Sequence, residues 1–217
     1  MHTDSNFSQL LKLIKSDVYE YRDPPFKLSS GQYSHHYFDC RNILSSPNGF
    51  NLVGKVMAEI LITKILNGKI YPTDMNNYFP RCELTPYETC YKLLDIKAIG
   101  GMATGSITIA NAIMSALYQR NIDINSFFIR KTGKKHGKTG KVVGIVNKTD
   151  KIAIVEDVIT TGTSVINAIN TVQEERNGIV VAVLTLLDRQ EGGSETITNQ
   201  FKIPVISIFT ANEIINP

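Results

Sequence analysis

The N-terminal third of the chain carries apolar residues at helical spacing. Residues three and four apart share one face of a helix, so this spacing predicts an amphipathic helix that opens near Ser5 as its cap. A second helix is predicted after Ser46 and Pro47, which suit the N-cap and the first helical position. Short extended segments are expected between them, around 26–28 and 37–40. The apolar stripes are Phe7, Leu10, Leu11, Ile14 and Val18 in the first helix, and Phe50, Val53, Val56, Met57, Ile60 and Leu61 in the second.

From Asp95 onward, short apolar runs alternate with helical patterns. Such alternation is typical of a parallel sheet covered by helices, so an α/β fold is predicted. Gly178 is the expected stop of the last predicted helix. Residues 67–89 have no clear period and are interpreted as an irregular insertion. The predicted strands are 96–101, 126–130, 152–156 and 179–187, and the predicted helices are 107–118 and 163–176.

Length and composition indicate one globular domain covering residues 1–217. Hydrophobic residues make up 42% and charged residues 20% of the chain, which is ordinary for a globular enzyme. No run reaches the roughly 18 consecutive apolar residues of a membrane span, and the N-terminus lacks the pattern of a secretory signal. The net charge of +3 does not by itself indicate nucleic acid. We therefore expect a cytoplasmic protein with neither a membrane nor a nucleic acid as partner.

Three cysteines, Cys40, Cys82 and Cys90, are too few and too irregularly spaced for a disulfide framework or a zinc site. Their odd number agrees with a reducing compartment. Each is expected to be a small side chain in or near the core.

The most informative segment is 152–165, IAIVEDVITTGTSV. Its apolar residues suit a buried strand, and its Thr, Gly and Ser residues can turn N–H groups and hydroxyls toward an anion at a helix N-terminus. Glu156 and Asp157 stand between the two, at the strand end where open α/β sheets bind ligands. Adjacent carboxylates repel each other, so a ligand explains them better than packing does. The alternative is an ordinary strand, turn and helix with Thr or Ser as the N-cap.

This segment resembles the motif that binds 5-phosphoribosyl-1-pyrophosphate (PRPP) in type I phosphoribosyltransferases. The resemblance implies that family's fold, a central mostly parallel sheet flanked by helices, with a small hood formed by N-terminal residues 1–45 and possibly by C-terminal ones. It also implies that PRPP contacts the acid pair, the turn that follows it and the Ala103–Thr104 pair of GGMATGSI. The residues implied for PRPP in these segments are Ala103, Thr104, Glu156, Asp157, Val158, Ile159, Thr160, Thr161, Gly162, Thr163 and Ser164.

A strongly basic segment, 130–141, reads RKTGKKHGKTGK and contains six Lys or Arg residues with no acid and no apolar side chain. It is expected to be a mobile loop that attracts a polyanion, and the alternative is a solvated charge run. The loop resembles the R-K-x-x-K-x-H-G loop of orotate phosphoribosyltransferases, through Arg130, Lys131, Lys134, His136 and Gly137. That resemblance implies that the first four of these residues contact PRPP, that Lys134 and His136 act in catalysis with Glu156 and Asp157, and that two subunits share their active sites in a homodimer.

Two further segments resemble the acceptor site of the same family. In 187–193, LDRQEGG, the matching arginine is Arg189, whose planar fork suits the carboxylate of orotate. A surface ion pair with Asp188 or Glu191 is the alternative. In 26–47 the pattern F-x-L-x-S-G precedes S-x-x-Y-x-D-x-R, which implies that Tyr37 and Phe38 frame the base, although either could pack in the core instead. Thr160 and Ser29 complete the implied orotate contacts, and Ser29 stands where many members have a lysine.

The resemblance implies an Mg²⁺-dependent transferase that joins orotate to PRPP and releases orotidine 5′-monophosphate and pyrophosphate in pyrimidine biosynthesis. Mg²⁺ is expected to arrive mainly bound to PRPP, so no protein ligand for it is predicted. The alternatives are a phosphoribosyltransferase for another nucleobase, a relative that has drifted in substrate, and a non-catalytic PRPP-sensing regulator.

Overall fold

The computed structural model describes residues 3–27, 33–65, 96–133 and 140–216. The predicted insertion at 67–89 lies outside the described residues, as do Ser29, Lys134, His136, Cys82 and Cys90. The helices of the described part are α1 (Thr3–Leu13), continued by a π-helical turn (Ile14–Val18), α2 (Arg41–Leu44), α3 (Pro47–Ile65), α4 (Gly105–Tyr118), α5 (Thr163–Arg176), α6 (Gly193–Phe201) and α7 (Ala211–Ile215). Its strands are β1 (Tyr19–Lys27), β2 (Tyr33–Phe38), β3 (Ile96–Met102), β4 (Asn125–Ile129), β5 (Val142–Gly144), β6 (Lys151–Ile159), β7 (Ile179–Asp188) and β8 (Val205–Thr210).

Six of these strands form one sheet in the order β5-β4-β3-β6-β7-β8. Neighbouring strands are parallel except for β4 and β5, which are antiparallel. The predicted α/β fold with a mostly parallel sheet is therefore confirmed. The order of the strands reverses between β3 and β6, and the carboxyl ends of these two strands border the crevice where open sheets of this kind bind ligands.

The sheet is covered on both faces, which explains the continuous apolar run of β6. Ala153 and Val155 belong to a core formed with α1, α3 and α4, whereas Ile152 and Ile154 belong to a second core formed with α5 and α6. A strand that packs on both sides needs apolar residues at successive positions, as parallel strands commonly have. Glu156 is the first residue of β6 after this run.

Strands β1 and β2 form a separate antiparallel ribbon. The ribbon occupies the N-terminal region predicted to form a hood. Two of its residues, Lys27 and Tyr37, border the same cavity as the C-terminal end of β6. The ribbon therefore covers the crevice of the sheet rather than extending the sheet.

Local signals predicted some helix ends and missed others. The Ser46 hydroxyl accepts the N–H of Gly49 at 3.0 Å, so the predicted cap of α3 is confirmed. Ser5, by contrast, lies inside α1, which begins at Thr3, so the prediction that Ser5 caps this helix is wrong. The C-cap of α5 is Asn177, which itself adopts the left-handed conformation at φ 50°, so the stop is not Gly178. Asparagine tolerates this conformation better than most residues.

No helix within the described ranges is long and apolar enough to cross a membrane.

Candidate active site

The acid pair lies at the C-terminal end of β6, and its two carboxyl groups have different surroundings. Glu156 is only 7% exposed, and its Oε1 accepts the N–H of Asp157 at 3.2 Å. Burial, together with the neighbouring Asp157 carboxylate, raises the pKa of Glu156 well above its usual range, and the positive charge of Lys131 opposes this shift. The carbonyl of Ile129, the last residue of β4, accepts the N–H of Ala103, so the basic segment that follows begins beside the turn before α4.

Asp157 faces the start of α4. Its Oδ1 accepts the N–H of Val158 at 2.9 Å, and its carboxylate is in contact with Gly105, the first residue of that helix. Ala103 and Thr104 form the turn before α4, where Ala103 donates its N–H to the carbonyl of Ile129. This turn therefore lies beside Asp157, at the neighbouring carboxyl ends of β3 and β6.

The turn from Thr160 to Ser164 connects β6 to α5. Gly162 is the N-cap residue at φ 80°, a conformation that favours glycine, and its carbonyl accepts the N–H of Ile166 at 2.9 Å. The hydroxyls of Thr161 and Thr163 lie 3.0 Å apart. The first N–H groups of a helix have no partner inside the helix and attract anions. Hydroxyls and N–H groups thus meet at one helix N-terminus, which suits a phosphate group.

One cavity, of about 490 Å³, joins this turn to the predicted acceptor residues. Pockets of this size accommodate small substrates. The cavity is lined by Lys27, Tyr37, Glu156, Val158, Ile159, Thr160, Thr161, Gly162, Thr163, Ser164, Val165, Arg189 and Glu191.

Arg189 enters the cavity from the loop that follows β7. The backbone N–H of Arg189 donates to the carbonyl of Ile159 at 2.9 Å, which fixes Arg189 beside the end of β6. Its guanidinium lies 2.8 Å from the Glu191 carboxylate and 5.8 Å from the centroid of the Phe38 ring. Because the side chain of Arg189 is only 11% exposed, its charge is held at the cavity wall and does not extend into solvent.

The loop that carries Arg189 is fixed by a buried carboxylate. Asp188, 7% exposed, accepts the N–H of Gln190 at 2.7 Å and the hydroxyl of Ser194 at 2.6 Å. Gln190 in turn accepts the N–H of Asn212 at 3.0 Å. These bonds tie the loop to both α6 and α7, so Arg189 and Glu191 project from a rigid segment.

The ribbon supplies an aromatic wall. Tyr37 lines the cavity and stacks on Phe26 with 4.9 Å between the ring centroids, whereas the adjacent Phe38 is buried under Arg189. Farther along, Arg41 donates to both oxygens of Asp39, at 2.7 and 2.6 Å, and lowers the pKa of that carboxyl group. The motif Y-x-D-x-R thus combines a cavity residue with an ion pair that orders the chain after β2.

The first and last residues of the basic segment, Arg130 and Lys141, are joined by a hydrogen bond. Arg130 donates its N–H to the carbonyl of Lys141 at 3.0 Å. The Glu175 carboxylate accepts the N–H groups of Lys141 and Val142 at 2.9 to 3.1 Å, and Arg176 donates to the carbonyl of Val142 at 2.9 Å. The C-terminal turn of α5 therefore anchors the residues that follow the basic segment.

The structure brings together most of the predicted site residues, with three additions. Glu156, Tyr37, Arg189 and the 158–164 segment line the cavity, and Asp157 with the Ala103–Thr104 turn lies beside it. Phe38 is not among the described residues that line it. Lys27, Val165 and Glu191 do line it and were not predicted as site residues. Their only signal in the sequence is proximity, since each lies one or two positions from a predicted site residue, Ser29, Ser164 or Arg189.

No group of three or more His, Cys, Asp or Glu side chains that could hold a metal occurs among the described residues. Asp157 offers carboxylate oxygens at the edge of the site, whereas burial favours the neutral form of Glu156, which is a weaker ligand. Mg²⁺ needs only one or two protein carboxylates when phosphates supply other oxygens. These residues therefore fit a Mg²⁺ ion that is held jointly with a polyphosphate ligand.

The chain is similar in sequence to known phosphoribosyltransferases. Residues 91–215 match the family model described as "Phosphoribosyl transferase domain". The chain is 32% identical over 209 residues to the orotate phosphoribosyltransferase of Aquifex aeolicus, covering 95% of this chain and 96% of that protein. It is 30% identical to the orotate phosphoribosyltransferase of Methanocaldococcus jannaschii, over 95% and 96% of the two chains.

A solved structure shares the whole fold. The orotate phosphoribosyltransferase of Mycobacterium tuberculosis H37Rv superposes with a TM-score of 0.70 at 25% identity, covering 96% of this chain and 98% of that one. The matches extend over nearly the full length of both proteins. This chain belongs to the phosphoribosyltransferase family, and within it to the orotate phosphoribosyltransferases.

Proposed function

We propose that this protein transfers the phosphoribosyl group of PRPP to orotate, giving orotidine 5′-monophosphate and pyrophosphate in pyrimidine biosynthesis. One observation carries the proposal: a single cavity contains both a phosphate-binding turn, Thr160–Ser164, and an arginine suited to a carboxylate, Arg189. A donor with a phosphate and an acceptor with a carboxylate can therefore occupy one space. Tyr37 lines the same space and offers an aromatic face to a flat base.

The reaction places charge at two points. As the bond from ribose C1 to pyrophosphate breaks, positive charge develops on the sugar and negative charge on the leaving group. Asp157, beside the start of α4, and Glu156, at the cavity wall, hold the ribose hydroxyls, and the Asp157 carboxylate balances the cationic ring. The turn after β6 holds the 5′-phosphate, which fixes C1 relative to the base.

The leaving pyrophosphate needs cations. Arg130 and Lys131 begin the basic segment beside the Ala103–Thr104 turn, and Lys134 and His136 follow in the sequence. A bound Mg²⁺ ion supplies further charge stabilisation to the phosphate oxygens. A single well-placed donor of this kind is typically worth roughly 3 to 4 kcal/mol in the transition state. We further propose a homodimer in which each subunit lends part of this segment to the other; the cytoplasmic location stays a prediction.

The first test is a spectrophotometric assay of orotate consumption, with and without PRPP and Mg²⁺. Consumption that requires both supports the proposal. Purines and uracil offered in place of orotate test the rival, a phosphoribosyltransferase for another base. Turnover of one of these bases without turnover of orotate would reject the assignment.

Arg189→Ala tests the acceptor site. We expect kcat/KM for orotate to fall at least tenfold, because the acceptor carboxylate loses its charged partner. Arg120→Ala is the matched control, since Arg120 follows the C-terminal end of α4, pairs with Glu59 of α3, and does not line the cavity. Unchanged orotate kinetics in the Arg189 variant would count against orotate as the substrate.

Lys134→Ala separates catalysis from sensing. The variant should lose turnover far more than it loses PRPP affinity, because the lysine acts on the departing pyrophosphate. Equal turnover in the variant and the parent would favour a PRPP-binding regulator or a solvated charge run.

A further inference from the structure

Arg189 already has a carboxylate partner within the protein. The Glu191 Oε1 lies 2.8 Å from Nη2 of Arg189, and both residues line the cavity. The side chain of Glu191 is 33% exposed, so this pair is shielded more than an ordinary surface pair. An acceptor carboxylate that approaches Arg189 therefore meets a negative charge beside the guanidinium.

The loop geometry keeps this contact in place. Asp188 and Gln190 form hydrogen bonds with Ser194 and Asn212, on the protein side of the loop. The alternating residues, Arg189 and Glu191, face the cavity. A rigid backbone thus presents a cation and an anion side by side, and only the rotation of side chains can separate them.

The ion pair compensates the charge of Arg189 when no acceptor is bound. A guanidinium that is 11% exposed and has no partner would be costly, because a poorly solvated charge needs compensation. A carboxylate ligand supplies the same compensation. The two carboxylates are therefore alternative partners of one arginine, and each can replace the other at a small net change in solvation.

The geometry points to Glu191 as an internal competitor for the acceptor site. Glu191 pairs with Arg189 in the free enzyme, releases Arg189 when the carboxylate of orotate binds, and pairs with it again as orotidine 5′-monophosphate leaves. This inference rests on the proposed function, since it needs an acceptor with a carboxylate. It identifies Glu191 as a residue that sets acceptor affinity and product release. A base without a carboxylate does not displace Glu191 from Arg189, so removing the charge of Glu191 should not lower the KM for such a base.

The test compares Glu191→Gln with the parent and with Glu195→Gln, an exposed control four residues farther along the same segment. Glutamine keeps the shape but not the charge. We expect the KM for orotate and the inhibition constant of orotidine 5′-monophosphate to fall threefold or more, while the KM for PRPP stays constant. Glu191→Ala should change both constants in the same direction, and Glu195→Gln should change neither.

A double variant identifies the mechanism. In the Arg189→Ala background, Glu191→Gln should no longer affect the KM for orotate, because the competition requires the arginine. A higher KM for orotate in Glu191→Gln would instead mean that Glu191 positions Arg189, and unchanged constants would mean that the pair is passive; either result overturns the inference. If the parent protein consumes no orotate, the proposed function fails, whereas orotate turnover without an effect of Glu191 rejects only the inference.

Discussion

The carboxylate of Asp157 lies so close to the Cα of Gly105 that any side chain at this position would displace it. A Cβ built on Gly105 would lie 2.5 Å from both Cγ and Oδ2 of Asp157. The first residue of α4 thus sets the position of an acidic side chain at the end of β6. The relationship explains why the sequence has a glycine between Thr104 and Ser106.

Gly105→Ala should therefore reduce activity without unfolding the protein. The backbone at this position is ordinary helix, so alanine costs no strain there, but its methyl group forces the Asp157 side chain to turn away. We expect kcat/KM for PRPP to fall by roughly tenfold to a hundredfold, since small displacements of a positioned group have effects of this size. Steady-state kinetics and thermal unfolding measure the two effects. The control is Ser115→Ala on the exposed side of the same helix, and a stable Gly105 variant with full activity would contradict the role of Asp157.

Gly162 and Gly192 form a matched pair for the phosphate-binding turn. Both adopt a left-handed backbone, at φ 80° and 84°, but a Cβ on Gly162 would lie 3.0 Å from the carbonyl of Gly193, whereas one on Gly192 meets nothing within 4 Å. Alanine at either position should destabilise the protein by about 1 to 2 kcal/mol through its conformation alone. Gly162→Ala should destabilise the protein more than Gly192→Ala does, and it should also weaken PRPP binding at least tenfold. Equal PRPP affinity in the two variants, measured by calorimetry, would argue against the turn as the phosphate site.

Burial of Glu156 should make stability depend on pH. Because the pKa of Glu156 is raised in the folded protein, the native state keeps a proton that the unfolded chain has already lost above its own pKa. The unfolded state then binds fewer protons, and stability falls as pH rises toward the folded pKa. Glu156→Gln lacks this cost, so it should melt above the parent at pH 7, and the difference should disappear near about pH 4.

The difference in Tm between Glu156→Gln and the parent measures the cost of burying Glu156. Each kcal/mol of stabilisation corresponds to about 2–4 °C in Tm for a chain of this length. Glu174→Gln, which alters an exposed carboxylate on α5, should show no such pH-dependent difference. A Glu156 variant that is less stable than the parent at pH 7 would mean that the ionised carboxylate, rather than the neutral acid, is the form favoured by the fold.

Lys27 should contribute to the binding of an anionic substrate. It is an exposed residue at the end of β1, and it lines the cavity together with Arg189. Lys27→Ala should raise the KM for orotate or PRPP about threefold to tenfold, with a smaller effect at high salt because exposed charges are screened. Lys27→Arg should preserve the value, and Lys12→Ala, on the exposed side of α1, serves as the control. Identical KM values for both substrates in Lys27→Ala and the parent would exclude this role.

Periodicity predicted the elements whose pattern is strong and local. The helix at 163–176 was placed with the bounds that the structure shows, and the strands around the acid pair were each found within a few residues. The three-residue strand β5 was missed because its existence depends on pairing with β4, not on its own sequence. The fold class followed from the alternation of strands and helices, which needs no knowledge of register.

The site was predicted less completely than the fold, for a geometric reason. Tyr37 and Phe38 are adjacent in an extended strand, so they point to opposite sides, and the sequence could not indicate which of them faces the ligand. In the structure Tyr37 lines the cavity and Phe38 lies under Arg189. For Arg189 the sequence predicts either a role in binding or an ion pair with Asp188 or Glu191. The structure shows the ion pair inside the cavity, so a contact between these two residues does not exclude binding.

Helix α5 begins at the proposed phosphate-binding turn and carries, in its last turn, the Glu175 carboxylate that anchors Lys141 and Val142. Its 14 residues span about 21 Å. The helix is therefore a spacer of fixed length and fixed rotation between donor binding and the base of the cationic segment. One inserted residue would turn Glu175 by about 100° away from its partners. A longer or shorter helix would therefore separate the proposed phosphate site from the base of the cationic segment, whereas exposed side chains along the helix do not affect this spacing.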